Sequence, residues 1–381
     1  MRRASEAEKA RLNDTFAALC AIPSPFGDEA AVAAHVTREL EGMGLAVEAD
    51  AKGNLLARVR GRSDEHLLLC AHLDTVAVTG PVEPVVVDGG WENAHEAILG
   101  ADNKAAVAVF LELVRRASVE GAPLGLELLL TVEEEDALAG AKAFDASVLR
   151  SRMGYVLDHA TPIGGIVVGS PTYYRIHADF RGRAAHAGVR PEDGRSAVLA
   201  AAHALTVMPH GRLDAVTTAN VGSIQGGVGS TNVVPERCSL LAEARSLDPE
   251  KAETTVSRMI DAINDAASAA ECDVDITSKR LFAGYRQKPS SPAIVAAEAA
   301  LRACGYEPRR IATGGGSDAN ALELDGFPCV NLANGTERNH EPTERVAVAA
   351  LEGMLDVALA LLDEAAALPD PEPSTVEHPA A

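Results

Sequence analysis

Aromatic residues are scarce in this chain. Phe, Trp and Tyr make up 3 % of 381 residues, with a single Trp, while 47 % of the chain is apolar. A large core is therefore possible, built mostly from Ala, Val and Leu. Basic residues are also in deficit: 34 Lys and Arg stand against 55 Asp and Glu, a formal charge of −21. That excludes nucleic acid as a partner, because phosphate neutralisation needs Lys and Arg, and it disfavours anionic membranes. The charge favours solubility without naming a partner. Cysteine is sparse, at positions 20, 70, 238, 272, 304 and 329 with no CxxC pair. This is no disulfide scaffold, and a reducing, cytoplasmic location is expected. No apolar run approaches the ~20 residues of a spanning helix, and residues 1–12 lack the apolar centre of a signal peptide.

Roughly one domain per 150 residues predicts two or three. Residues 7–20 and 28–43 read as helices, 55–59, 66–70 and 124–132 as strands, and 103–116 as a buried helix. Short strands at 155–157 and 166–168 follow. Strands alternating with helices predict an α/β domain with a mostly parallel sheet. The character changes near Ser170. Strands at 175–180, 215–221, 238–244 and 274–277 and helices at 194–207 and 250–270 give the order βαββαβ of a ferredoxin-like unit. From Pro289 the α/β style returns with a helix, the loop Gly314-Gly315-Gly316, a strand at 329–332 and a helix at 344–362. The expectation is a discontinuous catalytic domain (1–171 and 285–367) with an inserted lid or dimerisation domain (172–284) and a disordered Pro- and Glu-rich tail (368–381).

His72 and Asp74 follow an apolar run and so fall at a strand's C-terminal end, where ligands bind in open α/β sheets. Their spacing of two puts both side chains on one face if the extended conformation persists. Asp102 opens the buried helix, as a cap or as a carboxylate able to bridge two cations. Glu133, Glu134 and Glu135 follow a strand; such a cluster is either a charged helix start or a set of acids packed against bound cations. Asp158 ends a short strand, and His340 lies in a loop before the last helix. Together His72, Asp102, Glu135, Asp158 and His340 offer two imidazoles and three carboxylates. That set suits a pair of borderline divalent ions, zinc first, with Co or Mn as alternatives.

These segments resemble the di-zinc metallopeptidase family of peptidase T, glutamate carboxypeptidase, aminoacylase and succinyl-diaminopimelate desuccinylase. The matching stretches are His72-Leu73-Asp74-Thr75, Gly100-Ala101-Asp102-Asn103-Lys104, Thr131-Val132-Glu133-Glu134-Glu135, Asp158, Ala185-His186-Ala187-Gly188, Gly314-Gly315-Gly316-Ser317-Asp318, and His340 with Glu344. They occur in family order over nearly the whole chain. The compact spacing from Asp74 to Asp102 and the Ala185–Gly188 segment are most like the peptidase T-like branch.

The resemblance implies that Asp102 bridges two metals, that His72 and Asp158 complete one site, and that Glu135 and His340 complete the other. It implies Glu134 as general base and Asp74 as orienter of His72. The tripeptide Gly140-Ala141-Lys142 sets the register: Lys142 is seventh after Glu135, which leaves Glu133 outside the Glu pair. Ala137 stands where the family usually has Gly. His186, Asn232, Arg245 and Gly315 resemble substrate-binding positions, and the lid implies a homodimer. The implied activity is zinc-dependent hydrolysis of short peptides by a tripeptide-cleaving aminopeptidase. The alternatives are an aminoacylase or carboxypeptidase acting on N-acyl amino acids and, behind these, a binding protein without catalysis on the same scaffold.

Overall fold

The computed structural model describes residues 3–227 and 229–369. The expected disordered tail therefore lies, from residue 370 on, outside the described residues. The described residues form two compact units, one of residues 3–167, 288–311 and 317–369, the other of residues 168–227, 229–287 and 312–316.

The first unit opens with α1 (Glu6–Cys20), α2 (Ala30–Gly42), β1 (Val47–Ala49), β2 (Leu55–Val59), β3 (His66–His72), β4 (Pro84–Val87) and β5 (Gly90–Asn93). There follow α3 (Ala101–Glu120), β6 (Gly125–Thr131), α4 (Ala139–Ala143), β7 (Gly154–His159) and β8 (Gly165–Ser170), the last running across the division between units. The second unit holds β9 (Thr172–Arg181), α5 (Ala197–Val207), β10 (Gly211–Arg212), β11 (Thr217–Gly226), β12 (Arg237–Ser246), α6 (Pro249–Ala269), β13 (Asp273–Phe282) and β14 (Tyr285–Arg286). The chain ends with α7 (Pro292–Ala303), β15 (Arg309–Ala312), α8 (Asp318–Leu324), β16 (Cys329–Ala333), β17 (Thr336–Glu337), β18 (Arg345–Ala347) and α9 (Val348–Ala366).

The main sheet of the first unit runs β1-β2-β6-β3-β7-β16-β8. Its centre, β6-β3-β7-β16, is parallel, and β2 and β8 join it antiparallel. Helix α3 packs on β3 and β7, and α8 packs on β3, β7 and β16. Strand β3 is accordingly buried from Leu67 to His72 and reads as a continuous apolar run, as a doubly covered parallel strand must. A small antiparallel sheet, β17-β18-β5-β4, was not legible in the sequence. Its strands are two to four residues long, too short to show alternation. Residues 345–347, read as the start of the last helix, form β18 instead, because Val346 pairs with Trp91 on β5.

The second unit is the expected ferredoxin-like βαββαβ arrangement. Its antiparallel sheet runs β10-β11-β12-β9-β13, with the two-residue β10 added at one edge. Burial alternates along β9 and β12, as one covered sheet face requires. Ile176, Ala178, Phe180, Leu240 and Ala242 meet Met259 and Ile263 of α6 and the small residues Ala197, Ala200, Ala201 and Ala204 of α5. Those alanines let α5 lie close to the sheet.

Two features of the first unit carry measurable stability. Glu127 of β6 is fully buried. One oxygen accepts Arg58 Nε at 2.9 Å, and the other accepts the N–H groups of Arg150 and Ser151 and the Ser151 hydroxyl at 2.7–2.8 Å. Burial alone would raise its pKa, but these bonds outweigh burial and hold it below the usual 4.5. A lowered folded-state pKa stabilises above the unfolded value and is lost as pH falls through 4.5 and below. Glu127→Ala should cost about 1–3 kcal/mol in urea unfolding at neutral pH, since it leaves the buried Ser151 donors without their acceptor, while Arg58 keeps Glu48, and the deficit should shrink in acid. After β6 the backbone turns through Ala137 (φ +57°) and Leu138 (φ +64°). A left-handed Ala is strained, which explains the family's usual Gly. Ala137→Gly should raise stability by about 0.5–1 kcal/mol, the relief of the left-handed penalty less glycine's added chain entropy.

Candidate active site

The four parallel strands point the same way, so their C-terminal ends share one edge of the sheet. His72 closes β3, Glu134 and Glu135 lie in the turn after β6, and Asp158 is near the end of β7. Asp102 starts α3, entered through Gly100 at φ +77°, and His340 (φ +68°) stands in the loop between β17 and β18. In sequence these residues span positions 72 to 340; in the fold they meet.

Ligand atoms of His72, Asp102 and Asp158 lie within 4.8 Å of one another, as do those of Asp102, Glu135 and His340, and those of His72, Glu134 and Glu135. His72 Nε2 is 3.4 Å from Asp102 Oδ1 and 3.8 Å from Asp158 Oδ1. His340 Nε2 is 3.3 Å from Asp102 Oδ2 and 2.9 Å from Glu135 Oε1. Asp102 thus offers one oxygen to each imidazole. Its Oδ1 is buried and makes no hydrogen bond.

The electrostatics are those of crowded acids. Burial, with the Asp158, Asp318 and Glu135 charges, pushes Glu134 well above the usual carboxylate range. Burial and Asp102 do the same to Asp158. Burial opposes charge on Asp102 too, but His340 and His72 outweigh it and hold its pKa low. Hydrogen bonds that His340 donates to Asp102 and Glu135 push it up to about 10. An unpartnered buried carboxylate oxygen between two imidazole–carboxylate triads, in surroundings that penalise further negative charge, fits divalent cations. The oxygen and nitrogen donors, with no cysteine among them, suit zinc or its neighbours. His72 and Asp158 with Asp102 would hold one ion, and Glu135 and His340 with Asp102 the other.

The scaffolding around these residues goes beyond what the sequence suggested. Asp74, fully buried, was expected to orient His72. Its carboxylate is 3.4 Å from His72 Nδ1, but it is the Asp74 backbone carbonyl that lies at hydrogen-bond distance, 2.9 Å. The carboxylate itself accepts the backbone N–H of Glu134 at 3.0 Å and of Glu135 at 2.9 Å. One residue therefore orders both contributions, His72 of β3 through its carbonyl and the turn after β6 through its carboxylate. Glu133 turns away to pair with Lys52, and its N–H donates to Glu29. Gly140 is required here, since a Cβ would sit 2.0 Å from the Val132 carbonyl oxygen.

Four positioning groups were missed as such. Asn331 of β16 exchanges two hydrogen bonds with the Asp158 backbone. Glu344 accepts the N–H groups of Gly100 and Asp102. Buried Asp318 accepts the Thr131 hydroxyl at 2.5 Å beneath the end of β6. Asn339 donates to Asp102 Oδ2 at 2.8 Å. Asn331 shows as an Asn inside an apolar strand, and Asp318 and Glu344 lie in the segments that resemble the family; Asn339 has no such signal.

The remaining candidates belong to the second unit. Exposed His186 and Asn232 are brought together by backbone bonds: Ala187 N–H donates to the Asn232 carbonyl and Val234 N–H to the Ala185 carbonyl, each at 2.9 Å. Arg245 lies at the opposite end of β12 from that loop. Its guanidinium stacks 4.0 Å over the Tyr173 ring, is held through Nε and Nη2 by Glu243, and donates through Nη1 to the Gly314 carbonyl. Gly315, next in the chain, accepts the Ser170 hydroxyl at 2.9 Å.

Known proteins share this fold. Residues 169–271 match the family described as the peptidase dimerisation domain of M20 enzymes, and residues 54–160 match peptidase family M28. The uncharacterised protein YqjE of Bacillus subtilis (strain 168) is 35 % identical over 366 residues, 93 % of this chain and 98 % of that one. The crystal structure of aminopeptidase PepT from Bacillus cereus ATCC 10987 has 34 % identity and a TM-score of 0.82 over 94 % of this chain and 99 % of its own. That of a tripeptidase from Staphylococcus aureus subsp. aureus Mu50 has 32 % identity and a TM-score of 0.88 over 94 % and 98 %. At such identities over nearly the full length of both partners, the chain belongs to the M20 metallopeptidases, in their peptidase T-like branch.

Proposed function

We propose that this protein is an aminopeptidase of the tripeptidase type that hydrolyses short peptides at a dinuclear site, with zinc as the preferred metal. The observation that carries this reading is the shared carboxylate: Asp102 belongs to both ligand triads, and Glu134 stands beside them. The likeness to an aminopeptidase PepT and to a tripeptidase supports the choice of substrate.

Two divalent ions, when bound, would supply an acidified water and electrophilic pull on the scissile carbonyl. Glu134, buried and with its N–H held by Asp74, takes the proton from the attacking water and returns it to the leaving nitrogen. Asp74 keeps Glu134 and Glu135 in fixed register with His72. His186 is the candidate donor to the developing oxyanion. Arg245 is the candidate grip on a substrate carboxylate; its Nε–Nη2 edge is taken by Glu243 and one Nη1 hydrogen by the Gly314 carbonyl, which leaves the second Nη1 hydrogen and the outer Nη2 hydrogen for a ligand. Asn232 and Gly315 complete the substrate contacts, Gly315 through its backbone.

We assign the second unit as the lid and as the seat of a homodimer. Its family description supports this, as do Leu199 and Val207 of α5, which are 66 % and 55 % exposed. A cytoplasmic location accords with the cysteine usage; among the described residues no helix is long and apolar enough to cross a membrane.

Glu134→Gln should retain both metals by elemental analysis and lose about 10²–10⁴-fold in kcat, the worth of a general base, whereas His340→Ala should lose metal from one site. Turnover by Glu134→Gln at the parent rate would remove the base assignment. A free-amino tripeptide should be cleaved and its N-acetylated form spared. Preference for the blocked form would instead favour the aminoacylase or carboxypeptidase reading.

A further inference from the structure

The segment that carries His340 also grips Asp102, the shared ligand, at two points. Glu344 accepts the Asp102 backbone N–H at 2.9 Å, and Asn339 donates its Nδ2 to Asp102 Oδ2 at 2.8 Å. The same Oδ2 lies 3.3 Å from His340 Nε2, while Oδ1 lies 3.4 Å from His72 Nε2. Asn339 does this at a cost, because its own Oδ1 is buried without a partner. A carboxylate only accepts, so the amide must turn its nitrogen inward and leave its oxygen unmet. Folding alone does not explain an amide kept in that state, since an unsatisfied buried acceptor costs about 1–3 kcal/mol.

We propose that Asn339 is a positioning residue for metal binding, resting on the dinuclear reading above. A carboxylate that serves two ions must present one oxygen to each, and rotation about its Cβ–Cγ bond would let both oxygens turn to a single ion. The Asn339 hydrogen bond blocks that rotation. It occupies one lone pair of Oδ2 and leaves the other free for a ligand bond. Oδ1 then faces the His72–Asp158 triad, and Oδ2 faces the His340–Glu135 triad. Asn339 acts through Asp102 and is not assigned contact with substrate.

The test is zinc affinity, measured by chelator competition on the full chain without substrate, for the parent, Asn339→Ala and the nearly isosteric Asn339→Asp. The expected result is two zinc ions on the parent and, in both variants, about 10–100-fold weaker binding of at least one of them, the usual loss when a group orienting a metal ligand is removed. Thermal unfolding of the metal-free chains should change little for Asn339→Ala, which separates positioning from folding. Unchanged affinity for both ions in Asn339→Ala would overturn the proposal, as would a change confined to KM for peptide. A parent that takes up a single ion would instead overturn the dinuclear reading, so the two failures are told apart.

Discussion

Carboxylates brought together in a space with little water repel one another, and at this site the chain brings Asp74, Asp102, Glu134, Glu135, Asp158 and Asp318 into one neighbourhood. The two imidazoles, His72 buried and His340 half exposed, offset only part of that charge. Burial pushes Glu134 and Asp158 upward, and Asp318 up to about 6, so the site as built favours added positive charge. On the function proposed above, two bound cations would offset that charge, and the crowding that raises Glu134 accords with its proposed role as base. Under that proposal, metal uptake and general-base chemistry share one electrostatic cause.

Holding those groups in place is the task of the parallel sheet and of backbone-directed hydrogen bonds. The strands β3, β6 and β7 end on one edge, and β16 lies beside them with Asn331 locking Asp158. Asp74 fixes the turn after β6 to the end of β3, and Glu344 fixes the start of α3 to the segment bearing His340. The small sheet serves the same end: β18 pairs with β5 directly after Glu344 and so anchors the carboxylate that caps Gly100 and Asp102. A site assembled from residues so far apart in the chain depends on these few cross-links, which is why a single amide such as Asn339 can matter to it.

Some of the protein was legible in its residue order. The apolar runs at 66–70 and 124–132, the buried helix at 103–116 and the alternating pattern after Ser170 identify a parallel α/β unit and an antiparallel insertion, because burial on both faces or on one writes directly into the pattern of side chains. Four of the five metal-ligand candidates sit where a strand ends or a helix starts, a position with a sequence signature, while His340 lies in a loop. The Gly140-Ala141-Lys142 register separated Glu133 from the pair that follows, and Glu133 indeed turns aside to Lys52.

Other features left no trace in local sequence. The strands of the small sheet are too short to show a period. The forked acceptance of Glu134 and Glu135 N–H by Asp74, the Asn339 bond to Asp102 and the burial of Glu127 among Arg58, Arg150 and Ser151 depend on which segments become neighbours. Residue order by itself determined the elements, the class of fold and the chemical types available for metal and proton chemistry, since these follow from periodicity and side-chain identity. Only the tertiary structure decided which oxygen of Asp102 faces which histidine and what holds it there, because contacts such as that of Asn339 with Asp102, 237 positions apart, are set by packing and not by spacing along the chain.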